Sequence, residues 1–247
     1  MPRIGRVIDT KGYVHLIERG ISQQIIFEDE QDYQYYLKLL RKYSDELDIK
    51  INAYCLMDNH VHLLVYYEDK SVSLFMKKIG ISYSNYYNKK YSRTGHLFQD
   101  RFKSEQVFND RYYLTVLRYI LNNPVKAGIS SISEYRWSSY HLSQKQNEFV
   151  DASLAIQLCG GFEKYYHFLE SVNDDECMEY NSRPHDDTWA RNVMLSTLEI
   201  SSGNDLKLYD KIARDSALRK LNECGLSYNQ ISRLTGLGKS IVQRACQ

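Results

Sequence analysis

The chain has 247 residues, of which 43% are hydrophobic and 13% aromatic, with 32 basic and 31 acidic side chains. This composition excludes a disordered chain and suits one large domain, or one domain with a smaller one. The five scattered cysteines form no Cys-x-x-Cys pair, which argues against a disulfide framework or a structural zinc site and favours reduced thiols.

The N-terminus lacks the apolar core of a signal peptide, and no run of about 18 apolar residues could cross a membrane. We therefore expect a cytoplasmic protein with no membrane partner. No Gly-x-x-x-x-Gly-Lys-Ser/Thr loop occurs, so no nucleotide cofactor is expected. Residues 129–204 carry 5 Lys/Arg and 12 Asp/Glu between two mildly basic ends, a pattern that two nucleic-acid-binding units joined by a solvated segment would show.

Strand and helix patterns alternate through the first 125 residues. Alternating or apolar runs predict strands, and apolar positions spaced three and four apart predict helices. Strands are predicted over 12–19, 50–57, 60–67 and 96–107, and helices over 29–47, 71–91 and 110–122, the last ending before Pro124. This order predicts an α+β domain over residues 1–140: a ferredoxin-like antiparallel sheet with helices on one face.

The rest of the chain divides into a connector and a tail. Residues 141–204 are predicted to be an acidic, partly helical connector. Residues 205–247 contain three helical runs, at 208–224, 228–234 and 239–246, with a Gly-Leu-Gly turn before the last. This pattern predicts a helix-turn-helix, whose second helix would enter a DNA major groove, although an unrelated helical hairpin would look similar. The residues expected at the DNA are Lys239, Ser240, Gln243 and Arg244.

Two histidines, His60 and His62, open an apolar strand. Side chains alternate faces along a strand, so both imidazoles project from one face and could bind one metal ion. A half-buried strand whose histidines make ordinary hydrogen bonds would have the same pattern. The spacing therefore permits a metal site without requiring one.

A phenol and a carboxamide lie one helical turn apart at Tyr119 and Asn123. If this face packs over the histidines, Asn123 could complete a three-ligand site for Mg²⁺ or Mn²⁺ beside Tyr119. Such a site suits phosphoryl transfer, with tyrosine taking the 5′ side of cut DNA as a phosphotyrosine. Equally, Tyr119 could be one of 22 tyrosines packed in a core.

Cationic and polar residues alternate with the rings of Phe98 and Phe102 just before the third predicted helix. Cations that pair with phosphates beside rings that stack on bases suit single-stranded DNA, although a core with a solvated rim fits the same pattern. The candidates are Arg93, His96, Gln99, Arg101 and Lys103, with Arg3, Arg6 and Arg19 as further phosphate contacts.

The segment AYCLMDNHVHLL at 53–64 resembles the metal-binding strand pair of single-tyrosine HUH transposases, and the wider pattern resembles their REP-associated branch. The supporting motifs are RTGHLFQDRFKS at 93–104, RYILNNPVKAG at 118–128 and WSSY at 137–140. The resemblance covers residues 1–140 and implies an HUH endonuclease-like fold.

This resemblance implies that His60 and His62 bind a divalent metal and that Tyr119 is the nucleophile. It supports Asn123 as the third ligand, and we prefer Asn123 to Asn122, which points about 100° away on a helix. Tyr112 and Tyr113 remain alternative nucleophiles. The implied partner is single-stranded, hairpin-associated DNA.

Two functions remain open besides the DNA transposase that the resemblance implies. One is a domesticated DNA-binding protein or regulator that keeps the fold without mobilising DNA. The other is a metallo-phosphoesterase that uses water in place of tyrosine.

Overall fold

The computed structural model describes residues 11–69, 71–141, 149–175, 177–178 and 187–246. Arg3 and Arg6, predicted to contact phosphates, lie outside these residues. The chain divides into two compact units between Tyr180 and Asn181, and Ser22–Ile25 group with the second unit. The predicted three-part division at residues 140 and 204 stays a prediction.

The first unit is built on a four-stranded antiparallel sheet. Its strands are β1 (Gly12–Arg19), β2 (Lys50–Met57), β3 (His60–Tyr67) and β4 (Lys103–Val107), in the order β2-β3-β1-β4. The predicted strand over 96–107 is shorter than expected, because residues 97–99 pair only locally with the end of β1 through a Gly20–Phe98 bridge. An α+β domain with an antiparallel sheet was predicted and is confirmed.

Helices cover both faces of this sheet, whereas one face was predicted. Val14, Leu16 and Leu63 point to one face, and Ala53 and Leu64 to the other, so each face of the sheet is apolar and needs a cover. Packed against the first face are α1 (Glu30–Glu46) and α2 (Val72–Lys90); the second is covered by α3 (Asp110–Leu121), α4 (Asn123–Lys126), α5 (Ser153–Cys159) and α6 (Phe162–Glu170).

Helix α3 ends one residue before the predicted end, and the chain re-enters a helix at once. Asn122 links α3 to α4, and Pro124 lies in the first turn of α4. A proline there loses no hydrogen bond, because the first N–H groups of a helix have no partner within it. The short α4 keeps Asn123 one turn after Tyr119.

The second unit is wholly helical among the described residues. It contains α7 (Asp187–Leu198), α8 (Lys211–Glu223), α9 (Tyr228–Thr235) and α10 (Lys239–Cys246), with a short 3-10 helix at Gly203–Leu208. Leu218, Leu221, Ile231 and Val242 form its core. The three tail helices lie where they were predicted, and α7, predicted as connector, packs with them. No helix in the described part of the chain is both long and apolar enough to span a membrane.

Candidate active site

The two motif histidines stand side by side at the start of β3. Their ring centroids are 4.9 Å apart, and their partners across the strand pair are Arg19 for His60 and Ile17 for His62. Directly opposite residues of an antiparallel pair share a face. The side chains of His60, His62 and Arg19 therefore project toward α3.

Each histidine is held through its Nδ1 atom. His60 Nδ1 lies 2.6 Å from Asn59 Oδ1, and His62 Nδ1 lies 3.0 Å from Nε2 of His15 on β1. Metal-binding histidines use one ring nitrogen for the ion and the other for an orienting hydrogen bond. His62 thus keeps Nε2 for a ligand, whereas His60 has a further hydrogen bond to Asn123.

Burial keeps both imidazoles neutral. Burial, with the positive charge of Arg19 as a smaller cause, lowers the pKa of His60 to about 3. The pKa of His62 is lowered well below its usual range by burial first, then by the charges of His60, His15 and Arg19. A neutral imidazole has the lone pair that a metal ligand needs.

Asn123 faces His60 with its carboxamide oxygen. Its Nδ2 donates to the carbonyls of Tyr119, at 2.9 Å, and Ile120, at 3.4 Å, and its side chain also hydrogen-bonds to His60. Because Nδ2 is engaged by the backbone, Oδ1 is the atom that faces His60. Asn122 instead directs its Nδ2 to the carbonyls of Arg118 and Leu169, on the other side of the helix.

Tyr119 packs against the histidines. Its ring centroid is 5.8 Å from that of His62 and 6.1 Å from that of His15, and the side chain is 2% exposed. The ammonium of Lys126 lies 4.5 Å from the ring centroid. The predicted nucleophile and the predicted ligands therefore converge on one point of the sheet.

The alternative nucleophiles lie elsewhere. Tyr113 packs its ring 4.8 Å from that of Tyr13, and the Tyr112 hydroxyl donates to Glu105 at 2.7 Å. Tyr13 is six positions from Arg19 along β1, or about 20 Å at the rise of an extended strand. Tyr113 is thus at the opposite end of the sheet from His60.

The donor atoms fit a divalent cation. Two neutral imidazole nitrogens and one carboxamide oxygen are ligands that such ions accept, and they meet on one face. In the described part of the chain, no three His, Cys, Asp or Glu side chains form a group that could hold a metal ion. The fit therefore depends on Asn123 as the third ligand.

Part of the first unit matches a known family. Residues 9–123 match the model of the family described as IS200-like transposases. The match covers slightly less than half of the chain, and these residues are similar to that family.

A solved structure supports the fold. The structure of a REP-associated tyrosine transposase bound to a REP hairpin superposes with a TM-score of 0.54 at 16% identity, covering 74% of this chain and 98% of that one. A putative transposase from Deinococcus radiodurans R1 gives a TM-score of 0.35 at 19% identity, over 49% of this chain and 97% of that one. No curated protein matches the sequence.

The predicted DNA contacts lie in several separate places. Arg19 is buried at the histidines. His96, Gln99 and Arg101 line a groove beside α2, whereas Arg93 lies over the ring of Tyr87, and Lys103 is on β4. The exposed face of α10 carries the remaining four: Lys239, Ser240, Gln243 and Arg244.

Sequence reasoning missed His15 as a residue of this candidate site. It is fully buried, and only the pairing of β1 with β3 brings it to His62, 47 positions away. A signal was present, since His15 and Arg19 share the parity of strand positions that faces α3. Without the strand pairing, that parity could not be connected to the histidine motif.

Proposed function

We propose that this DNA transposase cleaves and rejoins single-stranded, hairpin-associated DNA through a covalent 5′-phosphotyrosine on Tyr119. The observation that carries the proposal is the convergence of Tyr119, His62 and Asn123, with ring centroids 5.8 Å apart for the first two. The family of residues 9–123 supports a transposase, and the fold neighbour bound to a REP hairpin supports hairpin DNA as the partner.

The metal would be held by Nε2 of His60, Nε2 of His62 and Oδ1 of Asn123. When bound, Mg²⁺ or Mn²⁺ supplies Lewis-acid polarisation of the scissile phosphate. His15 and Asn59 fix the two rings for this role from the Nδ1 side. Arg19, whose buried guanidinium lies at the same place, adds positive charge that favours the phosphate.

Cleavage is a transfer of the phosphoryl group to tyrosine. The phenolic oxygen of Tyr119 bonds to phosphorus while the bond from phosphorus to the 3′ oxygen breaks. The phenolic proton passes to water, and the departing 3′ oxygen takes a proton to become a hydroxyl. The Lys126 ammonium over the ring favours the negative charge on the attacking oxygen.

Rejoining reverses these bonds. A 3′ hydroxyl attacks phosphorus, the bond between phosphorus and the tyrosine oxygen breaks, and the phenol takes back a proton. The phosphodiester energy is kept in the phosphotyrosine bond, so the cycle needs no nucleotide cofactor.

The test is formation of a denaturation-resistant adduct. The protein is incubated with labelled hairpin DNA carrying single-stranded flanks, with Mg²⁺ or Mn²⁺, and run on a denaturing gel. Wild type should form the adduct, and Tyr119→Phe should abolish it. Tyr112→Phe is the matched control, because that hydroxyl bonds to Glu105 away from the histidines.

Other outcomes would replace the proposal. An adduct that survives Tyr119→Phe would place the nucleophile elsewhere. Cleavage with no adduct would indicate a water-using phosphoesterase. Binding with no cleavage in either metal would indicate a DNA-binding regulator.

A further inference from the structure

A groove in the first unit has a buried carboxyl at its floor. The groove lies between α2 and residues 95–102 and has a volume of about 900 Å³. Glu18 contributes the carboxyl, and the walls include Gly80, Asn85, Phe98 and Gln99, with Lys77 and Arg101 as cations. Glu18 is only 5% exposed.

One oxygen of Glu18 is engaged and the other is available. Oε2 accepts a hydrogen bond from the Tyr36 hydroxyl at 3.3 Å, and the described residues give Oε1 no hydrogen-bond donor. A Cβ atom at Gly80 would stand 3.2 Å from Oε1 and 3.9 Å from the Phe98 ring. Oε1 therefore lies in a slot between the α2 backbone and an aromatic ring.

The glycine in this slot lowers the stability of its own helix. Gly80 lies inside α2, where glycine is less favourable than alanine by about 1 kcal/mol. Its small size leaves space above Oε1 that a methyl group would narrow. A polar group in a buried position is also unfavourable unless it is hydrogen-bonded, and Oε1 gains such a bond from a ligand.

The groove opens at the same end of the sheet as the active site. Residue 18 precedes Arg19, the cross-strand partner of His60, and points to the opposite face. The groove wall is tied to this end, since Gln99 N donates to the Arg19 carbonyl at 2.9 Å and Gly20 pairs with Phe98. The groove and the histidines therefore lie at the same end of the sheet, on its opposite faces.

We propose that this groove is a base-reading subsite for one unpaired nucleotide flanking the cleaved phosphate, in which Glu18 Oε1 accepts a hydrogen bond from an exocyclic amino group. Adenine, cytosine and guanine carry such a group and thymine does not. The Phe98 ring offers a stacking surface, as aromatic rings do for splayed bases. This inference rests on the proposed function, because it assumes single-stranded DNA at the histidines.

Exchange of Glu18 for glutamine makes a sharp prediction. The Tyr36 hydroxyl donates to the oxygen it contacts, so the single oxygen of glutamine belongs at that position and its NH₂ faces the groove. An acceptor in the slot becomes a donor, and the preferred base should change from one with an amino group to thymine.

The experiment is a base scan of binding. Hairpins with single-stranded flanks are varied one position at a time, and their affinities are measured by fluorescence anisotropy at pH 8.5. Burial raises the pKa of Glu18 to about 8, so the carboxylate predominates there. Wild type should prefer an amino-bearing base over thymine at one position by about tenfold, and Glu18→Gln should reverse this preference.

A second variant distinguishes loss of the subsite from misfolding of the domain. Gly80→Ala should weaken binding of every base at that position, while the melting temperature stays equal or rises because alanine favours the helix. Leu74→Ala is the control, because this exposed residue of α2 is outside the groove lining. Unchanged base preference in Glu18→Gln, or unchanged affinity in Gly80→Ala, would overturn the subsite.

The same oligonucleotides separate this inference from the proposed function. Adduct formation by wild type with no base preference at any position would reject the subsite alone. No adduct on any oligonucleotide would reject the proposed cleavage. A base preference measured in binding could then not be assigned to a cleavage reaction.

Discussion

The imidazole of His15 decides which nitrogen of His62 can face a metal ion. If His62 Nδ1 carries the proton, it donates to His15 Nε2 and leaves His62 Nε2 as a lone pair. The opposite tautomer would place a proton on His62 Nε2 and block coordination. In the first of these tautomers His15 Nδ1 carries a proton, and the described residues offer it no partner, so this arrangement has a cost that a bound metal ion would offset.

Replacing His15 by phenylalanine should weaken metal binding without unfolding the domain. The ring keeps its packing against Tyr119, but the hydrogen bond that orients His62 is lost. We expect Mn²⁺ affinity, measured by isothermal titration calorimetry, to fall about 10- to 100-fold. Phe27→Leu, a change in the ring cluster on the other face, serves as the control. An unchanged Mn²⁺ affinity in His15→Phe would show that His15 only fills space.

Glu18 makes the stability of the domain depend on pH with the opposite sign to that of a carboxylate paired with a cation. Its pKa is about 8 in the folded protein, raised by burial from the usual 4.5. The unfolded chain therefore ionises Glu18 as pH rises from 4.5 to 8, while the folded protein does not, and stability is lost over that range. Glu18→Gln removes this effect.

Chemical denaturation at several pH values checks the sign. The free energy of unfolding of Glu18→Gln should exceed that of wild type by an amount that grows by about 2–4 kcal/mol between pH 5 and pH 8. A difference that shrinks as pH rises would mean that Glu18 is ionised in the folded protein.

At the residue scale, the sequence predicted the groups with a local signature. His60, His62, Tyr119 and Asn123 are recognisable from strand and helix spacing together with the resemblance. His15 and Glu18 are not, because their roles depend on strand pairing and on a groove wall formed by residues 95–102, 77 or more positions later.

Helix α3 is the element that brings Tyr119 to the sheet, and a charged pair fixes its outer side. Arg118 forms two hydrogen bonds to Asp175, Nε to Oδ2 at 2.6 Å and Nη2 to Oδ1 at 2.9 Å, with side chains 17% and 10% exposed. Asn122 adds a bond to the Leu169 carbonyl of α6. The α5–α6 region thus supports the helix that carries Tyr119.

Arg118→Ala should cost about 1–3 kcal/mol of unfolding free energy, because it leaves Asp175 without its partner in a largely buried position. The Arg118→Ala/Asp175→Ala double variant should recover part of that loss. Urea denaturation of the four proteins in the cycle measures it. Additive losses in the double variant would mean that the pair contributes no coupling.

At the element scale, periodicity predicted the strands and helices well because most have one buried face. The prediction placed helices on only one face of the sheet. Ala53 and Cys55 are buried on the second face, but their residue types do not show which face of a strand is covered by helices. The pattern also predicted too long a β4, because Leu97, Phe98 and Phe102 are apolar as parts of a groove wall and not of a strand.

The whole molecule contains a domain similar to IS200-like transposases and a second, helical unit. In the second unit, Ser227 begins α9 with a capping box to Gln230, and Gly236 ends it in a left-handed conformation at φ 66°. The following α10 buries Val242 and Ala245 and exposes Lys239, Ser240, Gln243 and Arg244. We propose that this exposed face contacts duplex DNA beside the cleavage site.

Charge reversal on α10 should separate duplex binding from chemistry. Lys239→Glu/Arg244→Glu should weaken binding to a duplex-flanked hairpin and reduce the slope of log affinity against log salt by about 2. Adduct formation on a short hairpin without flanking duplex should be unchanged. Equal loss on both substrates would mean that the unit supports the domain and does not read flanking duplex.

The central claim is that Tyr119 attacks the phosphate and keeps the 5′ end of the cut strand. Hairpin DNA with different labels on the two sides of the cut is incubated with protein and Mn²⁺, digested with trypsin and analysed by mass spectrometry. We predict that the label on the 3′ side remains attached to peptide 119–126, and that the other fragment ends in a free 3′ hydroxyl. Attachment at another tyrosine, or a free 5′ phosphate with no peptide attached, would contradict the account.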